Sequence, residues 1–244
     1  GERGYFAPRC LCLLSRAHYP LAFKACLVAL FQQCEAARSR AEGRPLELAV
    51  ETALSHLVLN VPLPVSGGPT VRFRLGRHQP HLHVGCALPS ELPSTDYSLG
   101  VLLSRLSPPA LLLAFHALLL EQQLVVVSDN DELRLGACEL LVGLLHPLQW
   151  AQVYVPTIPD AWLELLANPF PCVLGLRTAQ TAHLPQPLPA TMCIVHLDEQ
   201  AVKAPREQLP PLPPREAGRL SDSLHSAHAR CQRLGPAALS VPDA

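Results

Sequence analysis

The sequence has no surplus of charge: its 19 Lys and Arg are balanced by 20 Asp and Glu, for a formal net charge of −1. Without a basic excess there is no global field to hold a phosphate backbone or an acidic membrane, so nucleic acid is excluded as an expected partner. It also lacks any CxxC pair. Nine cysteines, an odd number with only Cys10 and Cys12 close together, fit reduced and mostly buried thiols better than a disulfide framework. A cytosolic protein is the expectation. The longest apolar run, residues 110 to 120, contains His116 and is too short to cross a bilayer, so no transmembrane segment is expected. The opening stretch "GERGYFAPRC" has neither a methionine nor the basic and apolar regions of a signal peptide, as a piece of a longer chain would. No GxGxxG or GxxxxGK[ST] loop follows a strand, no GxSxG elbow is present, and no Ser, His and acid group suggests a triad.

What is present is a globular composition. At 244 residues and 49% hydrophobic, the chain can bury a substantial core in one large or two small domains. "FAPRCLCLLS" (6 to 15) reads as a short buried strand and "YPLAFKACLVALFQQCEAARS" (19 to 39) as a helix opened by Pro20. After a break at "EGRP", Leu46, Val50, Ala53, Leu54, Leu57 and Val58 recur at helical spacing until Pro62 and Pro64. "TVRFRL" (70 to 75) and "HLHVGC" (81 to 86) alternate strictly, which predicts a hairpin turned by "GRHQP" with one solvated face. Two helices follow, the second with Ser107 as N-cap, Pro108 at its first position and an apolar surface nearly all round, hence buried. Strands at 123 to 128, 151 to 156, 172 to 177 and 191 to 198 then alternate with helices at 131 to 146 and 160 to 168. This predicts an α/β fold, with a mostly parallel central sheet covered by helices on both faces. A Pro-rich connector after Val202 leads to a polar helix at about 216 to 233.

Four groups of residues could carry chemistry. "SDND" (128 to 131) ends a buried strand, where open α/β sheets collect ligands. Asp129 with Glu132 three residues on has the form of a capping box, so helix cap, partner-contact loop and metal or phosphate site all stand as readings. The missing glycines count against phosphate. His78, His81, His83 and Cys86 could suggest zinc, but His81 and His83 share the polar hairpin face with Arg72 and Arg74, and resident cations repel a divalent ion. A basic contact patch is the functional alternative there, and no metal is expected at either place. His116 reads as a core histidine, and Gly136 and Gly143, two turns apart, as helix-to-sheet packing positions. "PPLPPR" fits PxxPxR through Pro210, Pro213 and Arg215, a weak match to an SH3 ligand.

Taken in order, "LLLEQQLVVVS", "HPLQWAQVYVPTIP" and "LLANPFPCVLGL" resemble the central module of DENN domains, with Pro147, Trp150, Pro156, Pro159, Pro169, Pro171 and Gly175 where that pattern expects them. Upstream, "FAPRCLCLLSRAHYPLAF" resembles the close of the family's longin-like module at Pro8, Leu11, Cys12 and Ser15. Leu148 departs from a position usually aromatic, and "NPFP" from a smaller residue before the first proline. The resemblance covers roughly residues 5 to 200 and implies three parts: 1 to 60, a partial longin-like α/β segment with a linking helix; 61 to 202, the central α/β module; and 203 to 244, a connector and the start of a downstream helical segment.

The resemblance further implies a guanine-nucleotide exchange factor for a Rab-type small GTPase in membrane traffic, acting without covalent chemistry or cofactor. Its expected location is cytoplasmic, with peripheral recruitment to vesicle or endosomal membranes. The GTPase-facing loop is then Asp129, Asn130 and Asp131, with Arg72, Arg74, His81 and His83 as a second contact patch, and Trp150, Pro147, Pro156 and Gly175 as structural positions. Trp150 is expected to fill the corner between helix and sheet. Two alternatives stand beside this: a DENN-type scaffold that binds a small GTPase or another DENN protein without exchange, and a doubly wound nucleotide-binding enzyme.

Overall fold

The computed structural model describes residues 10–15, 19–39, 46–75, 81–88, 90–92, 96–204 and 209–234, which divide into two compact units, Gly1–Asp96 and Tyr97–Asp243. In the first unit, α1 (Pro20–Ser39) and α2 (Leu46–Ser55) pack together, and α2 runs on into a π-helical turn, His56–Asn60. A π turn is a common way for a helix to lose register before prolines, here Pro62 and Pro64. Strands β1 (Val71–Phe73) and β2 (Leu82–Val84) pair antiparallel, with Val71 opposite Val84, Arg72 opposite His83 and Phe73 opposite Leu82. The alternation in the sequence does set the faces. Leu75 joins Cys26 and Ala29 of α1 in a buried cluster, with Phe73, Leu82, Leu57 and Leu13 against it, while Arg72, Arg74 and His83 are exposed. The Asp96 carboxylate accepts the Ala22 N–H at 2.8 Å, satisfying a first-turn donor of α1.

The strand expected over 6 to 15 is not found: residues 10–15 are irregular, and 6 to 9, with Pro8, lie outside the described residues. So do His78, the turn at 76–80 and "EGRP".

In the second unit, Ser98 caps α3 (Leu99–Arg105) and Ser107 caps α4 (Pro108–Leu119), each side chain accepting a backbone N–H of the first turn. Then come β3 (Gln123–Val127), α5 (Asp131–Gly143), β4 (Val153–Val155), β5 (Cys172–Leu176), β6 (Met192–His196), β7 (Ala201–Lys203) and α6 (Pro214–Leu234). The sheet order is β4-β5-β3-β6-β7; the first four strands are mutually parallel, and the short edge strand β7 is antiparallel to β6. Being buried on both faces, β3 and β5 have no polar alternation, as their continuous apolar runs require.

The two faces are covered differently. Val125, Val127, Cys172, Leu174, Leu176, Met192 and Ile194 share one face with Ile158, Leu166 and Leu184, which come from the 3-10 segments Asp160–Ala167 and Thr178–His183 and their flanks. The expected helix over 160 to 168 is therefore 3-10. On the other face Gly175 looks onto Arg134 of α5, and α4 packs on β3, β6 and β7. Outside α4 lies α6, half-burying Leu220, Leu224 and Cys231 along one stripe against α3 and α4, with a His228 Nδ1 contact to Leu103 O at 2.8 Å.

Several local expectations change. Trp150 does not fill a core corner: it is half-buried, and its Nε1–H donates to Val153 O at 3.2 Å. His116 is likewise only half-buried. Gly136 meets the Tyr97 ring, on which an added Cβ would lie 2.7 Å from Cδ1, whereas nothing lies within 4 Å of a Cβ at Gly143. The pair is thus not one packing face. Arg215 stands in the first turn of α6, so a polyproline II segment cannot run through Pro210, Pro213 and Arg215 unless that turn unwinds. All nine cysteines are free thiols, and burial pushes those of Cys26 and Cys172 up to about 11 and that of Cys193 up to about 12.

Candidate partner-binding site at the strand ends

The carboxyl ends of β3, β5 and β6 lie side by side, with Val127 level with both Leu176 and His196. The chain leaves β3 at Ser128, which is fully buried, and this residue is the hub of the site. Its N–H donates to Leu176 O at 3.1 Å, its hydroxyl donates to Asp198 Oδ1 at 3.0 Å, and the same Oγ accepts the Asn130 N–H at 3.1 Å. The hydroxyl, donating once and accepting once, joins the loop after β3 to the one after β6, while the Ser128 N–H holds the end of β5.

Asp129 is not the cap of α5, contrary to the capping-box reading. Its Oδ1 accepts the Thr178 N–H at 2.9 Å, and its own N–H donates to Asp198 Oδ2 at 3.0 Å, so it ties the β3 loop to both neighbouring loops. The cap is Asn130, with extended φ of −85° and ψ of 110° and its Oδ1 accepting the Leu133 N–H at 2.9 Å. Either Asx residue could cap by spacing alone. The Asp129 carboxylate is taken by the first backbone N–H of the Thr178–His183 segment, another orphan helical donor.

Beneath the loop lies Arg134, 1% exposed. Its Nη1 donates to Ser128 O at 2.6 Å, and its Nη2 pairs with Asp131 Oδ1 and reaches Thr157 Oγ1 at 3.5 Å. Its Nε has no partner among the described residues. The Asp131 side chain is 78% exposed, so the buried guanidinium leans on a counter-ion at the surface. Gly175 makes room for this: an added Cβ there would lie 1.9 Å from Pro156 O and 3.1 Å from Arg134 Cδ. Two residues singled out in the sequence, Pro156 and Gly175, therefore meet directly, whereas Pro147 is exposed.

A second knot lies next door. Asp160 accepts from Gln180 Nε2 at 2.6 Å and Arg177 Nη2 at 3.0 Å, and these hydrogen bonds, Gln180's first, hold its carboxyl below the usual range. Gln180 also donates to Ile158 O at 3.2 Å and accepts the Arg177 N–H at 2.9 Å. The site thus presents exposed Asp129, Asn130, Asp131, Arg177, Thr178 and Asp198 on a backbone held by internal hydrogen bonds.

A family model described as the DENN (AEX-3) domain matches residues 6–200. The chain belongs to the DENN domain family. Among curated proteins it is similar to the DENN domain and WD repeat-containing protein SCD1 of Arabidopsis thaliana, 26% identical over 220 residues, or 90% of this chain. The chain spans 18% of that relative's length.

In this DENN domain the second group of sequence candidates lies in the other unit. Arg72 and Arg74 stand on the solvated face of β1, His83 pairs across from Arg72, and His81 immediately precedes β2. Desolvation first, then Arg72, Arg74 and His83, pushes the His81 imidazole below its ordinary value. Sequence reasoning missed Asp198, Arg134 and Thr178 at the strand ends. Asp198 was readable in principle as an acid closing the strand beside β3; Arg134 and Thr178 had no local signal.

Proposed function

We propose that this DENN domain promotes GDP release from a Rab-type small GTPase by binding the nucleotide-free form more tightly than the nucleotide-bound one. Membership of the DENN family over residues 6–200 carries the proposal. By linkage, tighter binding to the empty GTPase lowers nucleotide affinity by the same factor, and no bond is made or broken in the chain. The GTPase-facing surface is the strand-end loop, with Asn130 and Asp131 exposed and Asp129 holding the backbone that presents them. The protein works in the cytoplasm and reaches traffic membranes peripherally.

The test is release of a fluorescent GDP analogue from each member of a Rab panel, run beside direct binding. Accelerated release from one or a few Rabs supports the proposal. Rab binding with unchanged release would leave a non-catalytic DENN-type scaffold. Saturable binding of free nucleotide to this chain alone would point instead to a doubly wound nucleotide-binding protein.

A further inference from the structure

The first unit holds a groove of about 900 Å³. One wall is β1 and the residues just after it, with Arg72 and Arg74; the other is α2 and its π turn, with Glu51, Thr52 and His56; His81 also lines it. Among the described lining residues two arginines face one acid, Glu51, in a chain whose total charge on the same count, with histidine neutral, is −1. Positive charge is therefore concentrated here against the trend of the whole molecule. Guanidinium groups bind phosphate oxygens in bidentate fashion, and the Thr52, Asn60 and Gln33 side chains, already bonded to Leu48 O, His56 Nδ1 and Leu75 O, keep oxygen lone pairs that can accept from ring hydroxyls. The volume lies within the range of small-ligand sites.

A second observation says what carries the anion. Asn60, Val61 and Pro62 also line the groove, and the apolar side chains on either side of them in the chain stand in solvent: Val58 73% exposed, Leu59 78%, Leu63 81% and Val65 71%. Single exposed apolar residues are ordinary, but a run of them beside a cationic groove is the arrangement by which peripheral proteins hold a bilayer. Charge attracts the anionic headgroup while apolar side chains enter the acyl boundary.

We propose that this groove binds the phosphorylated headgroup of an anionic lipid, with Arg72 and Arg74 on the phosphate and residues Val58 to Val65 inserted in the membrane beside it. The site belongs to the first unit and does not rest on exchange activity, which is read separately as GDP release in solution.

The test is flotation of the 244-residue chain with vesicles of phosphatidylcholine alone, with phosphatidylserine added, and with a phosphoinositide added. Expected binding is strongest to the phosphoinositide vesicles and weakens as salt rises. Combined Arg72→Gln and Arg74→Gln should weaken it roughly 25-fold, from about fivefold per cationic side chain near an anionic leaflet. Combined Leu59→Ser and Leu63→Ser should abolish flotation while leaving calorimetric binding of soluble inositol trisphosphate intact. All four residues are solvent-exposed, and circular dichroism checks that both variants stay folded. Binding of inositol trisphosphate or inorganic phosphate without any flotation would overturn the membrane proposal and leave a site for a free phosphate compound. Equal flotation with phosphatidylcholine alone, or arginine variants indistinguishable from wild type, would overturn the groove.

Discussion

Replacing Gly175 with alanine adds one methyl group at a place where the backbone leaves none. The new Cβ would stand 1.9 Å from Pro156 O and 2.6 Å from Pro156 C, more than 1 Å inside normal contact and against main chain. Neither atom can rotate away, so residues 156 to 158 must shift bodily. That movement removes the Ile158 N–H bond to Gly175 O, now 3.0 Å, which contributes about 1 kcal/mol. It also drags Ile158, 3% exposed, out of the core cluster shared with Leu174 and Leu176, and overpacking of this kind costs roughly 1 to 3 kcal/mol. Together Gly175→Ala should cost about 3 kcal/mol, a large part of a domain's net stability. Urea unfolding measures this, with Gly143→Ala as the control, since that Cβ meets nothing within 4 Å and alanine favours a helix by up to about 1 kcal/mol. Loss of less than about 1 kcal/mol at Gly175 would mean that the loop after β4 yields freely, and the account of a rigid strand-end platform would fail.

Asn130→Ala removes the α5 cap and should lower stability by about 1 kcal/mol in thermal unfolding, whereas Asp129→Ala should affect it through the Thr178 contact and leave α5 capped. Asp131→Asn removes the counter-ion of the buried Arg134 guanidinium while keeping an Oδ1 acceptor, so it should cost about 2 kcal/mol in stability; on the proposed reading the still-folded variant also slows GDP release from the cognate Rab about tenfold, and unchanged release would remove Asp131 from the contact. Trp150→Ala should cost only about 1 to 2 kcal/mol, because the ring is half in solvent and gives up one hydrogen bond to Val153 O. In an NMR titration His81 should titrate below its ordinary pKa and move upward in Arg72→Gln; no movement would separate the two side chains electrostatically.

The sequence announced what depends on short periods and missed what depends on distant partners. Strict alternation around Arg72 and Phe73 set both hairpin faces, and apolar runs bounded by helices set the parallel sheet. Strand β7, three residues on a sheet edge, is too short to show any period, and the 3-10 segments share composition with α-helices of the same length. The choice of cap between Asp129 and Asn130 is settled by Thr178, 49 residues away, so no local spacing could decide it. Arg134 reads as an ordinary polar helix position; only the Pro156 loop closing over Gly175 encloses it.

The strand-end geometry also bounds how an exchange surface could work here. An exchange factor that weakens nucleotide binding a thousandfold must prefer the empty GTPase by about 4 kcal/mol. A single tenfold effect at Asp131 corresponds to about 1.4 kcal/mol, so that loop supplies only part of the preference. The remainder has to come from surfaces fixed relative to it, and the Asp129 contacts to Thr178 and Asp198 fix two. Because these loops are already ordered by one another, binding would not have to spend interaction energy on arranging them, and contact energy can be expressed as preference between GTPase states. The buried Ser128 hydroxyl is then as consequential as any exposed residue. With its donor and acceptor roles lost in Ser128→Ala, the loop after β3 would lose its hydroxyl link to Asp198 and its own bond to the Asn130 N–H, leaving the Asp129 contacts alone to hold it to Thr178 and Asp198.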